Sequence, residues 1–315
     1  MISFVVRRIL AMIPTVIIVM TVSFMLIHLI PGDPVDLMLG EDATADDIAR
    51  ITHEMGLDRP LLIQFREYFF NVFSGNLGTS IRYRMPVSIL IQQRLEVTLL
   101  LTAMAMIVIA VFGVVTGVVA AARANSWLDQ TLLLFALGSI SIPVFWLGLL
   151  LMLFFSLRLR WFPTSGYRSV FGPGGFLNLR YLVLPAVALG LRRSALVARM
   201  TRSSLLEVLR EDYIVTARAK GIREVRVVLL HGLRNAAIPI ITVFALSLST
   251  VLAGAAITES VFALPGVGRL VVEAVSGRDY PTVQGLMIVF GFLYLGINFL
   301  IDITYSLLDP RIQYG

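Results

Sequence analysis

The chain has 315 residues, of which 57% are hydrophobic and 15% are charged, and it contains no cysteine. Soluble domains carry about 25% charged residues, so this composition, with a mean hydropathy of +0.86, indicates a membrane protein and excludes disulfides and thiolate metal sites. The formal net charge of +6 is interpreted as charge that orients the chain in a membrane, so nucleic acid is not expected as a partner.

Six apolar segments are long enough to cross a bilayer, which takes about 20 residues. They span 9–30, 97–122, 131–157, 181–206, 236–263 and 283–307. The first is longer than a signal-peptide core of about 7–15 residues, and no small-residue cleavage pattern follows it, so we expect it to remain as a helix. The predicted fold class is an all-α polytopic membrane protein with six transmembrane helices.

Residues 31–96 are predicted to form a small helical cap outside the membrane. Thr44 can cap a helix with an acidic first turn, and Gly56 would end that helix. Pro60 can open a second helix that runs toward Gly75. The predicted division is an N-terminal segment with the first helix (1–30), the cap (31–96) and a five-helix core (97–315) that carries a cytoplasmic loop at 207–235.

Basic residues collect on the cytoplasmic side of membrane proteins. Arg7 and Arg8 precede the first segment, so both termini are predicted to be cytoplasmic after six crossings. The loop 199–235 then lies inside with eight basic and four acidic residues, and 31–96 lies outside with six basic and ten acidic residues. The loop 158–180 disagrees, because it has four arginines and no acid but falls outside by the count of crossings.

Breaks and close contacts are predicted inside the core. Pro143 and Pro239 interrupt apolar segments, where a kink is tolerated if neighbours satisfy the freed backbone groups. Gly113, Gly117 and Gly148 favour close helix contacts.

The chain lacks the groups that other energy-coupled mechanisms need. No acidic relay for a proton-coupled or sodium-coupled transporter and no arginine ladder for a voltage sensor is visible, since Glu259 and Asp302 lie near segment ends. The only lysine, Lys220, lies in RAKGI and not in a phosphate-binding loop, so a P-loop ATPase is excluded. His53 and Glu54 are adjacent without an HExxH pattern, so a zinc protease is excluded and no metal site is expected.

Arg192 and Arg193 lie about half a span into the fourth segment. An arginine at the bilayer centre costs about 2.5–3.5 kcal/mol on insertion scales unless it faces protein, water or an interface. Two interpretations stay open. Either the helix is offset and the arginines extend to the inner headgroups, or one of them lines an aqueous substrate pathway and meets a peptide carboxylate.

Motifs along nearly the whole chain resemble those of permease subunits in the dipeptide/oligopeptide ABC importer family. In order they are PGDP, GLDRPLLIQF, GNLGTS, PVSILIQQRLEVTLLL, ARMTRSSLLEVLREDY, VTARAKG, TESVFALPGVGRL, RDYPTVQG and LDPRI. Val215 and Thr216 stand where the wider superfamily has glutamate and alanine, and the peptide-permease branch is similar to this chain in that departure.

The resemblance implies that the loop 207–235 forms a helix-turn-helix that docks into an ATPase. Ala217 and Ala219 would let the first helix enter a groove, and Arg218 and Lys220 would pair with acids at its rim. The expected docking residues are Glu211, Asp212, Tyr213, Thr216, Ala217, Arg218, Ala219, Lys220 and Gly221.

The implied assembly is an ATP-driven peptide importer in the bacterial cytoplasmic membrane. Its other parts would be a second homologous permease, two ATP-binding subunits that hold ATP and Mg, an extracytoplasmic solute-binding protein and membrane lipid. This chain would bind no cofactor and catalyse nothing. The alternatives are a family relative that imports nickel chelates, glutathione or other small solutes, and, in another class, a stand-alone channel or membrane scaffold. A channel has no reason to carry the docking loop.

Overall fold

A computed structural model describes residues 2–29, 35, 44–54 and 56–308, in which the regular structure is helical apart from one isolated bridge between Thr79 and Pro86. The helices are α1 (Ile2–Leu29), α2 (Ala45–Glu54), α3 (Leu61–Phe73), α4 (Val87–Ala122), α5 (Trp127–Ser141), α6 (Val144–Leu151), α7 (Arg180–Val208), α8 (Asp212–Ala219), α9 (Glu224–Arg226), α10 (Leu233–Asn235), α11 (Ala237–Val261), α12 (Val267–Ser276) and α13 (Tyr280–Leu308). A π-helix, Met152–Arg158, continues α6, a 3-10 helix, Gly175–Leu179, precedes α7, and a second π-helix, Val227–Gly232, joins α9 to α10. The PGDP motif, and the LDPRI motif after its leucine, lie outside the described residues.

Five of the six predicted spans are confirmed as helices that are long and apolar enough to cross a membrane. Among the described residues these are Val6–Leu29, Val87–Ala122, Gly175–Val208, Ala237–Val261 and Tyr280–Thr304. A sixth crossing is present if Trp127–Ser141 and Val144–Arg158 together form one broken span; these two segments are called the bent pair below.

The bent pair replaces the single helix predicted at 131–157. Its halves meet at an angle of 105°. Ile142, at the break, is extended with ψ 123°, and Pro143 directly precedes α6. Proline has no N–H and keeps the preceding residue out of the helical region, so the break falls where the proline demands it. Pro239 lies in the first turn of α11, where N–H groups have no partner within the helix. Contrary to the prediction, it does not interrupt that helix.

The chain divides into two compact units, Met1–Leu95 with Leu270–Ile303, and Glu96–Arg269 with Thr304–Gly315. The first unit groups the predicted cap with α1 and α13, and the cap as a separate domain stays a prediction. In this unit Met20, Val72 and Ile288 are buried together. Beside them, Ser23 Oγ donates to the carbonyl oxygen of Gln284 at 3.1 Å, and Gln284 Nε2 donates to the carbonyl of Ser23 at 3.0 Å.

The two helices of the cap begin and end where local chemistry predicts. Thr44 Oγ1 accepts the backbone N–H of Asp47 at 3.2 Å, which caps α2. Gly56 follows α2 with φ +67°, Pro60 directly precedes α3, and Gly75 follows α3 with φ +77°. The left-handed φ of both glycines is the conformation that ends a helix at little cost in glycine alone.

A buried acid joins two of the family motifs within the first unit. Asp279, in RDYPTVQG, is 1% exposed. Its carboxylate accepts hydrogen bonds from the hydroxyl of Ser80, at the end of GNLGTS, from Thr282 Oγ1 at 2.8 Å and from the N–H of Ile81 at 3.3 Å. Because a buried carboxylate is stable only when it is hydrogen-bonded, these residue types are needed together although they lie far apart in the chain.

In the second unit, α7 packs against α5, α6 and α11, and α4 also lies against it. A Cβ atom added to Gly113 would lie 2.8 Å from Val197 Cβ, and one added to Gly117 would lie 2.5 Å from Thr201 Cβ. On Gly148, in α6, an added Cβ would lie 2.9 Å from the nearest aromatic carbon. The three glycines therefore permit close helix contacts, as predicted.

The motif TESVFALPGVGRL is organised around Glu259, which is fully buried in α11. The Glu259 carboxylate accepts the hydroxyl of Thr98 at 2.6 Å and the backbone N–H of Arg269 at 2.8 Å, while Thr98 Oγ1 accepts the N–H of Val267 at 2.8 Å. These bonds cap the N-terminus of α12. A Cβ atom on Gly266 would lie 2.1 Å from the carboxyl carbon of Glu259, so the glycine of LPG is required by space.

A third buried acid, Asp129, lies in the first turn of α5. It forms a two-point ion pair with Arg202 of α7, with both N–O distances 2.6 Å, and its side chain is 3% exposed against 23% for Arg202. The N–H of Asn125 also donates to Asp129 at 2.9 Å, and Ser126 caps α5. The turn between α4 and α5 is thus tied to α7.

Candidate functional site

Residues 207–235, called the docking block below, form a helix-turn-helix after α7. The first helix, α8, follows Glu211, which is extended, and carries Asp212 in its first turn and Arg218 in its last, as the helix dipole favours. Gly221 turns the chain with φ +75°, and its N–H bonds to the carbonyl of Arg218 at 2.9 Å. The second arm runs through α9, a π-helix and α10 into α11, so the predicted helix, turn and second helix are present.

The docking block has an apolar interior of its own. Ile214, Ala217 and Val227 are buried together, with Leu209 and Ile222 packed beside them. The spacing of three residues between Ile214 and Ala217 puts both on one face of α8. That face closes against the second arm of the block.

Polar contacts also hold the two arms of the block together. Arg218 and Glu224 form a two-point ion pair across the turn, with N–O distances of 2.7 and 3.1 Å. This bond lowers the pKa of Glu224 and raises that of Arg218. Because both side chains are largely exposed, the pair contributes at most about 1 kcal/mol. At the far end, Asn235 Nδ2 donates to the Tyr213 hydroxyl at 2.8 Å.

The docking block is joined closely to the end of α7. A Cβ atom on Gly232 would lie 2.8 Å from Leu205 Cδ1 and 3.3 Å from Leu209 Cδ2. Leu209 packs against both the interior of the block and the main core of the second unit. A displacement of the block therefore acts directly on α7.

The structure brings the predicted docking residues together on α8 and its two ends, and two of them make contacts within the block itself. Ala217 is 8% exposed and faces the interior of the block, so it cannot enter a groove on a partner. Arg218 already pairs with Glu224. The residues that remain on the surface are Glu211, Asp212, Tyr213, Thr216, Arg218, Ala219, Lys220 and Gly221.

The surface of the block also contains two valines that sequence reasoning missed. Val215 is 56% exposed and Val225 is 71% exposed. Val215 could have been found, because helical spacing places it away from Ile214 and Ala217. Val225 follows the turn at Gly221, and the direction of that turn is set by packing. The local sequence therefore does not predict that Val225 is exposed.

Arg192 and Arg193 lie in the middle of α7, as their positions in the sequence required. Arg192 is exposed and Arg193 is half-buried. Among the described residues neither guanidinium forms an ion pair with an acid of the chain. Both interpretations, extension to the headgroups and contact with substrate, remain predictions.

The fold is one that is found in solved ABC transporter structures. The chain is similar in fold to two inward-facing crystal forms of the MetNI methionine ABC transporter, with TM-scores of 0.59 and 0.54 at 20% and 19% identity. Each match covers 70% of this chain and 96% of the other.

The chain belongs to the family described as "Binding-protein-dependent transport system inner membrane component", whose model matches residues 113–314. A model for the N-terminal part of such membrane components matches residues 1–102. The protein is thus a multi-pass permease subunit of an ABC importer and not itself an enzyme. The membership confirms the resemblance drawn from the motifs.

Three relatives are 42% identical to this chain and match all of it. One is a putative peptide transport system permease protein of Brucella abortus (strain 2308), of which 100% is covered. Another is a di/tripeptide transport system permease protein of Pseudomonas aeruginosa (strain UCBPP-PA14), of which 99% is covered. The third is a glutathione transport system permease protein of Salmonella typhi, of which 100% is covered.

Proposed function

We propose that this chain is one of two permeases that together carry peptides across the bacterial cytoplasmic membrane. Two ATP-binding subunits drive the pair and hold ATP and Mg, and an extracytoplasmic solute-binding protein delivers the substrate. The docking block carries this proposal, because it is a folded helix-turn-helix with an outward surface that a stand-alone channel or a membrane scaffold would not need.

The ATPase meets the exposed face of α8 and the start of the second arm. Val215 and Val225 supply apolar area, Tyr213 supplies an aromatic ring, and Lys220 supplies a positive charge for an acid at the rim. Ala219, small and exposed, allows close approach of the partner. Apolar and aromatic groups surrounded by charge are the usual make-up of a specific protein interface.

The test is Ala219→Trp, with Ala122→Trp as the matched control. Ala122 is an exposed alanine at the end of α4, outside the docking block. We expect both variants to insert into the membrane at the level of the unmodified chain, since both positions are exposed. Ala219→Trp should lose co-purification with the ATP-binding subunits and lose uptake, and Ala122→Trp should retain both. Full ATPase binding and uptake in Ala219→Trp would exclude α8 as the docking element.

The proposed topology has six crossings, with the bent pair as the third and both termini cytoplasmic. Two charged regions support it. Arg7 and Arg8, near the start of α1, and the basic docking block fall on the same side only if the bent pair crosses the membrane. The cap, with its excess of acids, then lies outside.

The substrate is proposed to be a peptide because relatives named for peptides match the full chain. Relatives named for glutathione match it equally well, so glutathione is the second candidate and nickel chelates are a third. Deletion of the gene followed by uptake of defined dipeptides and oligopeptides, glutathione and nickel separates the three. Loss of glutathione or nickel uptake with peptide uptake unchanged would replace the peptide assignment.

A further inference from the structure

The loop 158–180 departs from the charge pattern of the rest of the chain. Its four arginines, Arg158, Arg160, Arg168 and Arg180, are all exposed, and the loop contains no acid. Arginines collect on the cytoplasmic side of membrane proteins, but the proposed topology places this loop outside. These charges therefore need a reason other than orientation.

The same loop exposes large apolar side chains. Phe171 is 90% exposed, Phe176 84%, Leu177 78% and Trp161 65%. Apolar groups exposed to this degree within one short loop mark an interaction site. If these side chains are always covered by whatever binds the loop, their exposure in the isolated chain does not lower the solubility of the protein.

The loop is braced, so these rings are held outward. Glu96 accepts hydrogen bonds from the Tyr167 hydroxyl at 2.9 Å, the Ser169 hydroxyl at 2.8 Å and the N–H of Val170 at 2.8 Å. Burial and the Glu96 carboxylate raise the pKa of Tyr167, which keeps its hydroxyl protonated as a donor. Asn178, which is buried, donates to the carbonyl oxygen of Ser169 at 2.9 Å. Because these hydrogen bonds hold Ser169 and Val170 in place, Phe171, two residues beyond Ser169, cannot turn back into the protein.

Both ends of the loop lie where membrane helices begin and end. Arg158 is the last residue of the bent pair, and Trp161 follows three residues later. The next candidate span, Gly175–Val208, already includes Phe176 and Leu177. Aromatic rings and arginines at this depth match the headgroup region, where tryptophan and other amphipathic side chains concentrate and the stems of arginines lie along apolar surface.

We propose that the loop 158–180 is a lipid anchor that inserts its aromatic rings into the bilayer interface and binds anionic phospholipid headgroups through its arginines. Lipid supplies the phosphates that four arginines without an acid require, since basic residues near a membrane surface are attracted to anionic lipid. The inference rests on the proposed crossing by the bent pair. It does not depend on ATPase docking, so the Ala219→Trp test and the test below fail independently.

The chain has no cysteine, so single sites can be labelled in the assembled importer after reconstitution in nanodiscs of equal phosphatidylcholine and phosphatidylglycerol. Environment-sensitive fluorophores are placed at Phe171→Cys and Phe176→Cys, with Ser165→Cys, an exposed polar position of the same loop, as the control. The complex without an added cysteine gives the background from the partner subunits. We expect nitroxides on the upper acyl chain to quench the labels at 171 and 176 and to quench the label at 165 much less.

The headgroup preference is measured with the nitroxide placed on phosphatidylglycerol or on phosphatidylcholine. We expect stronger quenching from phosphatidylglycerol, and Arg168→Gln should reduce that preference roughly fivefold, as expected for one basic residue at a membrane surface. Arg210→Gln, an exposed arginine outside the loop, should leave it unchanged.

Two outcomes would overturn the proposal. Labels that stay in water until the solute-binding protein is added would make the loop a docking surface for that protein. Labels shielded from both water and lipid in the assembled importer would make it a contact with the second permease.

Discussion

The ion pair between Asp129 and Arg202 allows a prediction about which partner is more costly to lose. The Asp129 side chain is 3% exposed, whereas that of Arg202 is 23% exposed. The variant Arg202→Met keeps the aliphatic part of the side chain but removes the guanidinium. Of the donors to the Asp129 carboxylate described above, the N–H of Asn125 then remains. Leaving a buried charge without its partner costs about 3–5 kcal/mol.

The reverse change should cost less. In Asp129→Asn the shape is kept and the amide oxygen can still accept the N–H of Asn125. Arg202 is long and partly exposed, so its head can move to water or headgroups. The expected cost is that of lost charge-assisted hydrogen bonds, about 1.5–3 kcal/mol. The double variant removes both charges and should be more stable than Arg202→Met alone, which is the sign of coupling between contacting residues.

The assay is thermal unfolding of the purified importer in detergent, read as the midpoint temperature of each variant. The expected order, from most to least stable, is the unmodified chain, Asp129→Asn, the double variant and Arg202→Met. A double variant no more stable than Arg202→Met, or an Asp129→Asn variant that loses as much as Arg202→Met, would refute the reasoning from burial.

Three further predictions concern the docking block, the pathway and the topology. Gly221→Val should strain the left-handed turn by about 1–2 kcal/mol and reduce both ATPase co-purification and uptake. Gly221→Asn should retain most of both, because asparagine tolerates a positive φ. An equal loss in the two variants would point to a cause other than the φ angle. Arg192→Gln or Arg193→Gln should lower uptake while assembly and basal ATP hydrolysis stay intact, and normal uptake in both would support extension to the headgroups. In whole cells an impermeant thiol reagent should label Asp46→Cys in the cap and not Arg223→Cys in the docking block, and the opposite pattern would invert the topology.

Features that depend on local chemistry were predictable from the sequence. The lengths of the apolar segments predicted the five long spans. Thr44, Gly56 and Pro60 predicted the helix ends of the cap, because each acts on the backbone within a few residues. The proline at 143 predicted a break in the third segment. The angle of 105° could not be predicted, since it depends on how the two halves pack in the core.

Features that depend on distant partners were not predictable from one sequence. Glu259 was read as an acid near the end of a segment, but it is a buried cap whose partner Thr98 lies 161 residues away. Asp279 and Ser80 are 199 residues apart, and neither position shows a pattern that predicts the other. The burial of Ala217 was predictable only in part. Its spacing from Ile214 predicts that the two residues share one face of α8, but not whether that face is covered by a partner or by the chain itself.

The bracing of the docking block determines how it can work as a mechanical part. Contacts within the block, such as Arg218 with Glu224 and Tyr213 with Asn235, fix its two arms before any partner arrives. A segment that folds only on binding gives up about 2–5 kcal/mol to ordering, and a preformed surface avoids most of that loss. If an ATPase docks as proposed, a preformed block would pass its movement to α7 as a rigid displacement, because the block contains no loop that could bend and absorb it.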